Sequence, residues 1–186
     1  MSFLGSPEKR LLLALARRSL VLAVQKREAL EVLPNDAVLR QPGGAFVTLH
    51  YRGKLRGCVG QLPSSVSLAE VVVHCSKSAA LEDPRFEKVR LDELPGIEIE
   101  LSVLSELTEA HTEQIEPGKQ GLVVSCGSKR GVLLPQVAAQ FRWNAQRFLE
   151  ETCAKAGLDR NAWKEEATRV QTFTAQVFSE ADFPVG

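Results

Sequence analysis

The chain has 186 residues, 44% hydrophobic and 25% charged, a balance that supports one substantial domain with a sizeable core. Its 23 Lys and Arg are matched by 23 Asp and Glu, so it lacks the basic excess on which nonspecific nucleic-acid binding depends. No apolar run approaches the roughly 20 residues of a bilayer span, so neither nucleic acid nor membrane is an expected partner.

Ser6-Pro7-Glu8 reads as a helix opening, with Ser6 as cap and Pro7 at the first helical position. Leu13, Ala16, Leu20 and Val24 recur at helical spacing, which predicts a helix to about Ala29. The run Leu11 to Ala16 is closed by Arg17 and Arg18 with no small-residue cleavage site, which argues for a helix face rather than a signal peptide. Pro34-Asn35-Asp36 and Pro42-Gly43-Gly44 bound a loop before the first strand.

Phe46 to Tyr51 and Lys54 to Val59 form a predicted hairpin turning at Arg52-Gly53. A two-residue turn there sets Cys58 opposite Val47 and sends His50 to the other face. Ser67 and Glu70 make a capping box, opening a helix whose buried face carries Leu68, Val71, Val72, Cys75 and Ala79. Asp83-Pro84-Arg85-Phe86 ends it, since Pro84 disfavours helical geometry at Asp83. Ile97, Ile99, Leu101 and Val103 alternate with polar residues as a half-buried strand. A second hairpin joins Gly121 to Cys126 with Gly131 to Leu134, around residues 127–130. Pro135 opens a helix, a further amphipathic stretch stops at Gly157, Trp163 sits in a short helix, and Phe173, Ala175 and Val177 alternate in a last strand.

Hairpins with helices inserted between them favour an α+β fold with an antiparallel or mixed sheet. The chain reads as a single domain over 1–186, with room for the inserted hairpins to form a second, interleaved lobe.

Leu55-Arg56-Gly57-Cys58-Val59-Gly60 is the sharpest chemical segment. Gly57 and Gly60 leave backbone room around Cys58, and on a regular strand Arg56 shares its side. A guanidinium there favours thiolate over thiol, which makes Cys58 the candidate nucleophile. The competing reading is a small buried filler with Arg56 in an ion pair. Arg85 offers a planar fork to a carboxylate or phosphate, with Asp83 beside it; alternatively the two pair locally while Phe86 anchors the loop. Gln136 offers an amide to a ligand, or is an ordinary exposed helix residue. Glu98 and Glu100 share a strand face, either as paired carboxylates or as its solvent side.

Cys58, Cys75, Cys126 and Cys153 lie far apart without CxxC spacing, so reduced thiols in the cytoplasm are expected. His50, His74 and His111 form no HxH or HExxH pattern, so no metal and no cofactor are expected.

LRGCVG at 55–60 resembles the LRGC[IV]G hallmark of the AMMECR family, the A component of the AmmeMemoRadiSam system. DPRF at 83–86, DEL at 92–94, IEIELSVLS at 97–105, GVLLPQVA at 131–138 and KAGL at 155–158 follow in the same order. Trp143 and Trp163 fall where the family tends to carry tryptophan. Gln120 stands where many relatives have His, so the resemblance supplies no imidazole there. It implies a cytoplasmic α+β domain with two unequal lobes, the smaller an α/β lobe, and partnership with a Memo-like protein and a radical S-adenosylmethionine protein.

Two functions follow as expectations. In one, Cys58 is catalytic, and Arg56, Gly57, Gly60, Asp83, Arg85 and Gln136 bind a small anionic or carbonyl-bearing substrate in a cleft between lobes. In the other, the same motifs serve a non-catalytic binding or assembly module. A homo-oligomer fits either.

Overall fold

The computed structural model describes residues 4–27 and 35–183. The chain divides into two compact units, one of residues 1–104 with 176–186, the other of residues 105–175.

In the first unit, α1 (Ser6–Val24) is followed by β1 (Gly44–Tyr51), β2 (Lys54–Gln61), α2 (Leu68–Leu81), β3 (Ile97–Leu104) and β8 (Ala175–Ser179). The sheet order is β2-β1-β3-β8, and β1 runs antiparallel to both its neighbours. Alternation divides this sheet into two faces. Ala45, Val47 and Leu49 on β1 and Ile99 and Leu101 on β3 are fully buried with Leu12, Ala16 and Leu20 of α1 and Leu68, Val72 and Cys75 of α2. Each such Leu or Ile contributes about 1.5–3 kcal/mol on leaving water. The capping box at Ser67 and Glu70 is present and fixes where α2 begins.

Three expectations here need correction. Gly5, not Ser6, is the N-cap of α1, with no side-chain bond to the first turn. The helix ends at Val24 instead of about Ala29, with Gln25 as its cap; Ala29 and Pro34 lie outside the described residues. The β1–β2 register slips between Leu49 and His50, so Leu49 pairs with Gly57 and His50 with Leu55. Arg56 is the extra residue of a bulge, which kinks the strand and re-aims its side chain. Cys58 therefore pairs with Thr48, not Val47, and His50 shares its sheet face.

The second unit holds β4 (Thr108–Glu109), β5 (Gly121–Cys126), β6 (Lys129–Leu133), α3 (Pro135–Gln140), α4 (Ala145–Lys155) and β7 (Arg169–Phe173). Its sheet runs β4-β7-β5-β6 with antiparallel pairings. Leu122, Val124, Phe148, Leu149 and Cys153 form its core. The β5–β6 turn is tighter than predicted, because Cys126 already pairs with Lys129. After α4, Gly157 takes φ +70, and the N–H groups of Gly157 and Leu158 donate to the carbonyls of Ala154 and Cys153, each at 3.0 Å. That double closure is why a left-handed glycine ends the helix.

The single last strand is also corrected. Phe173 ends β7 in one sheet, while Ala175 opens β8 in the other. Thr174, between them, is tied to Ser105: the Ser105 N–H donates to its carbonyl at 2.9 Å, and its own N–H donates to Ser105 Oγ at 3.0 Å. In consequence Phe178 is buried and Val177 exposed.

Candidate thiol site

β2 is an edge strand, and the Asp83-Pro84-Arg85 turn closes that edge at Cys58. The Cys58 N–H donates to Asp83 Oδ2 at 2.8 Å, and its carbonyl accepts from Arg85 Nη2 at 3.2 Å. An open edge offers such groups to other chains; here two side chains take the place of a neighbouring strand. Asp83 in turn holds Arg85, accepting from Nε at 3.0 Å, Nη2 at 2.7 Å and the backbone N–H at 3.1 Å.

Asp83 is 5% exposed. The Arg85 guanidinium holds its carboxyl well below the usual carboxylate range against the opposing effect of burial, with the Cys58 and Arg85 N–H groups adding to the depression. Arg85 is raised reciprocally, first by Asp83, with smaller contributions from its charge and from the Cys58 thiol beside it. Its side chain is 55% exposed and lies against the Phe86 ring at 5.4 Å. The arginine is thus an oriented cation open to solvent.

The Cys58 side chain is half-buried, and Thr48 Oγ1 donates to its Sγ at 3.4 Å. Thr48 lies between Cys58 and Glu100 in the strand register, so the three make one cross-strand row. His50 and Glu98 form the adjacent pair. Thr48 is the neighbour that sequence reasoning missed. A regular hairpin places Val47 there, and no local pattern announces the bulge that replaces it.

Arg56 is built into another contact. Its Nε and Nη2 grip both oxygens of Glu93 at 2.9 and 3.0 Å, and Nη1 and Nη2 reach the carbonyls of Glu87 and Lys88 at 2.7 and 3.2 Å. Glu93 is buried, and its carboxyl is held low by Arg56 first. All three guanidinium nitrogens are therefore occupied by the 87–93 segment. Lysine cannot reproduce that fork, so Arg56→Lys is expected to lower stability by about 2 kcal/mol. Urea denaturation measures it, with faster amide exchange expected over 87–93.

The glycines serve packing rather than thiol access. A Cβ on Gly57 would stand 2.1 Å from the Ala79 carbonyl oxygen of α2, and one on Gly60 would stand 2.2 Å from the Phe46 ring. Gln136 belongs to the second unit, half-buried in the first turn of α3; the cluster around Cys58 is built within the first unit. Two of the other thiols, Cys75 and Cys153, are buried. Burial pushes Cys75 up to about 12, with Cys58 a lesser influence, and burial raises Cys153. Among the described residues no group of three or more His, Cys, Asp or Glu is placed to hold a metal ion, and no helix is long and apolar enough to cross a membrane.

A family model described as AMMECR1 matches residues 13–178. A protein of Methanothermobacter thermautotrophicus is 39% identical over 186 residues, covering 95% of this chain and 96% of its own. One from Methanocella arvoryzae is 40% identical over 152 residues, 76% of each chain. The crystal structure of the uncharacterized protein PH0010 from Pyrococcus horikoshii superposes with a TM-score of 0.83 at 34% identity, covering 90% of this chain and 89% of that one.

Proposed function

The chain belongs to the AMMECR1 family, and from that premise we propose that Cys58 is the working thiol of an enzyme acting on a small anionic or carbonyl-bearing substrate. One observation carries the reading: Cys58 combines a hydroxyl donor at its sulfur with an oriented, solvent-open guanidinium at the same residue. A donor and a cation are the surroundings that stabilise sulfur carrying negative charge. Arg85 Nη1 has no hydrogen bond among the described residues, which leaves a donor for a substrate carboxylate or phosphate. In attack on a carbonyl, the sulfur–carbon bond forms as the carbonyl pair moves to oxygen, and the thiol proton leaves to water. Asp83 positions Arg85, and Arg56 positions the 87–93 segment. Gly57, Gly60 and Gln136 receive no substrate contact in this proposal.

The resemblance supplies the proposed setting, in the cytoplasm beside Memo-like and radical S-adenosylmethionine proteins. Complementation tests the thiol: in cells lacking the native protein, Cys58→Ser is expected to lose function while Cys126→Ser keeps it. Full function in Cys58→Ser would end the proposal.

A second reading, a non-catalytic binding or assembly module, is favoured by the internal pairing of Arg56 with Glu93 and Arg85 with Asp83. It predicts that Cys58→Ser still co-purifies with a co-expressed Memo-like partner and still complements. Absence of co-purification with either partner counts against it.

A further inference from the structure

The first unit also carries a groove between α1 and the turn Glu180–Asp182, with Phe183 after it. Its cavity is about 550 Å³, within the range of small-molecule sites. Arg10, Leu13, Ala14, Arg17 and Arg18 line it from α1. These are positions i, i+3, i+4, i+7 and i+8, one continuous stripe about 12 Å long. Leu13 and Ala14 give it an apolar floor, and Phe183 closes one side.

The charges along the stripe are unequal in role. Arg17 is structural: it pairs with Glu180 and also donates to the carbonyls of Leu94 at 3.3 Å and Ile97 at 2.6 Å. Glu180 is likewise engaged, because its Oε2 accepts the Ile99 N–H at 2.9 Å as well as Arg17. Glu180, the carboxylate among the described residues that line the groove, is therefore turned inward. Arg10 stays at the rim, its guanidinium 4.8 Å from the Phe183 ring centroid. Arg18 is exposed and makes no ion pair among the described residues. A protein with no net charge thus places two cations, neither ion-paired among the described residues, around an apolar trough.

We propose that this groove binds a small amphipathic acid, its apolar body along Leu13, Ala14 and Phe183 and its carboxylate or phosphate met by Arg10 and Arg18. Apolar burial supplies contact, and the cations set the preference for an anionic head. The inference is independent of Cys58.

The test uses the full chain with decanoate and decan-1-ol as probes, followed by chemical-shift changes of the α1 amides. Decanoate is expected to bind about tenfold tighter than the alcohol. Arg10→Gln with Arg18→Gln is expected to remove that preference while leaving the melting temperature unchanged, since both side chains are at the surface. Ala14→Trp, which fills the trough from an exposed helix position, is expected to abolish binding of both probes, and Cys58→Ser to leave it unchanged. Equal affinity for acid and alcohol, a preference that survives the double substitution, or no shift in α1 with either probe would each overturn the proposal. Decyl phosphate binding tighter than decanoate, with the same loss in the double variant, identifies a phosphate head and supports it.

Discussion

Gly57→Ala is expected to destabilise the protein by about 3 kcal/mol, the upper part of the range for overpacking a filled interior. The added methyl would meet the Ala79 carbonyl oxygen at 2.1 Å, and that atom is helix backbone with no rotamer in which to escape. Relief requires β2 to move off α2, which loosens its pairing with β1 at Leu49 and with it the Thr48–Cys58 pair next along the strand. Gly53→Ala makes the control. Nothing stands within 4 Å of a Cβ there, but φ is +74, so only conformational strain of about 1 kcal/mol is expected. Urea denaturation of both variants separates the two causes, and a Gly57→Ala protein within about 0.5 kcal/mol of the parent would contradict the packing described.

Asp83→Ala carries the second large effect, about 2 kcal/mol at neutral pH. It leaves the Cys58 N–H without its acceptor and frees Arg85 from three bonds. A fully buried pair broken on one side loses about 3–5 kcal/mol; the exposure of Arg85 reduces that here because water can solvate the freed cation. The pH dependence has a definite sign. The carboxyl is depressed in the folded chain relative to about 3.9 when unfolded. Its contribution is therefore complete above that value and is lost as pH falls through the folded one. Unfolding curves for the parent and Asp83→Asn are expected to differ most near neutrality and to converge in strong acid. Glu93, depressed in the same direction by Arg56, keeps part of the acid sensitivity in Asp83→Asn. A gap that stays constant down to strong acid would mean Asp83 is not ionised in the clamp.

Elements with a local cause were legible in the sequence. The capping box at Ser67, the alternation over Ile97 to Leu101 and the glycine after α4 each state a geometry in their own few residues, and each is found, though β3 is buried on both faces from Leu101 to Leu104. What was not legible depends on partners distant in sequence. Arg56 becomes a bulge because its fork finds Glu93, 37 residues on, and that one insertion moves Cys58 from Val47 to Thr48. The run from Phe173 to Val177 reads as one strand by alternation, yet Thr174 bonds to Ser105, 69 residues earlier, and splits it between sheets. The site shows the same division. Cys58, Asp83 and Arg85 were all named and do meet, but the contact runs through Cys58 backbone atoms, which a motif of side chains does not disclose. Arg56, the cation first paired with the thiol, is spent on another carboxylate.

Alkylation of Cys58 by iodoacetamide at pH 6–7, followed by mass spectrometry on the native protein, tests most directly whether Arg85 equips this sulfur for chemistry. Cys126, also half-buried, serves as the internal reference. Cys58 is expected to react faster than Cys126, and Arg85→Gln and Thr48→Val are each expected to slow it, Arg85→Gln by about tenfold, with Cys126 unchanged. Equal rates at Cys58 in the parent and in Arg85→Gln would contradict the account and leave Asp83 and Arg85 as a clamp on the strand edge alone.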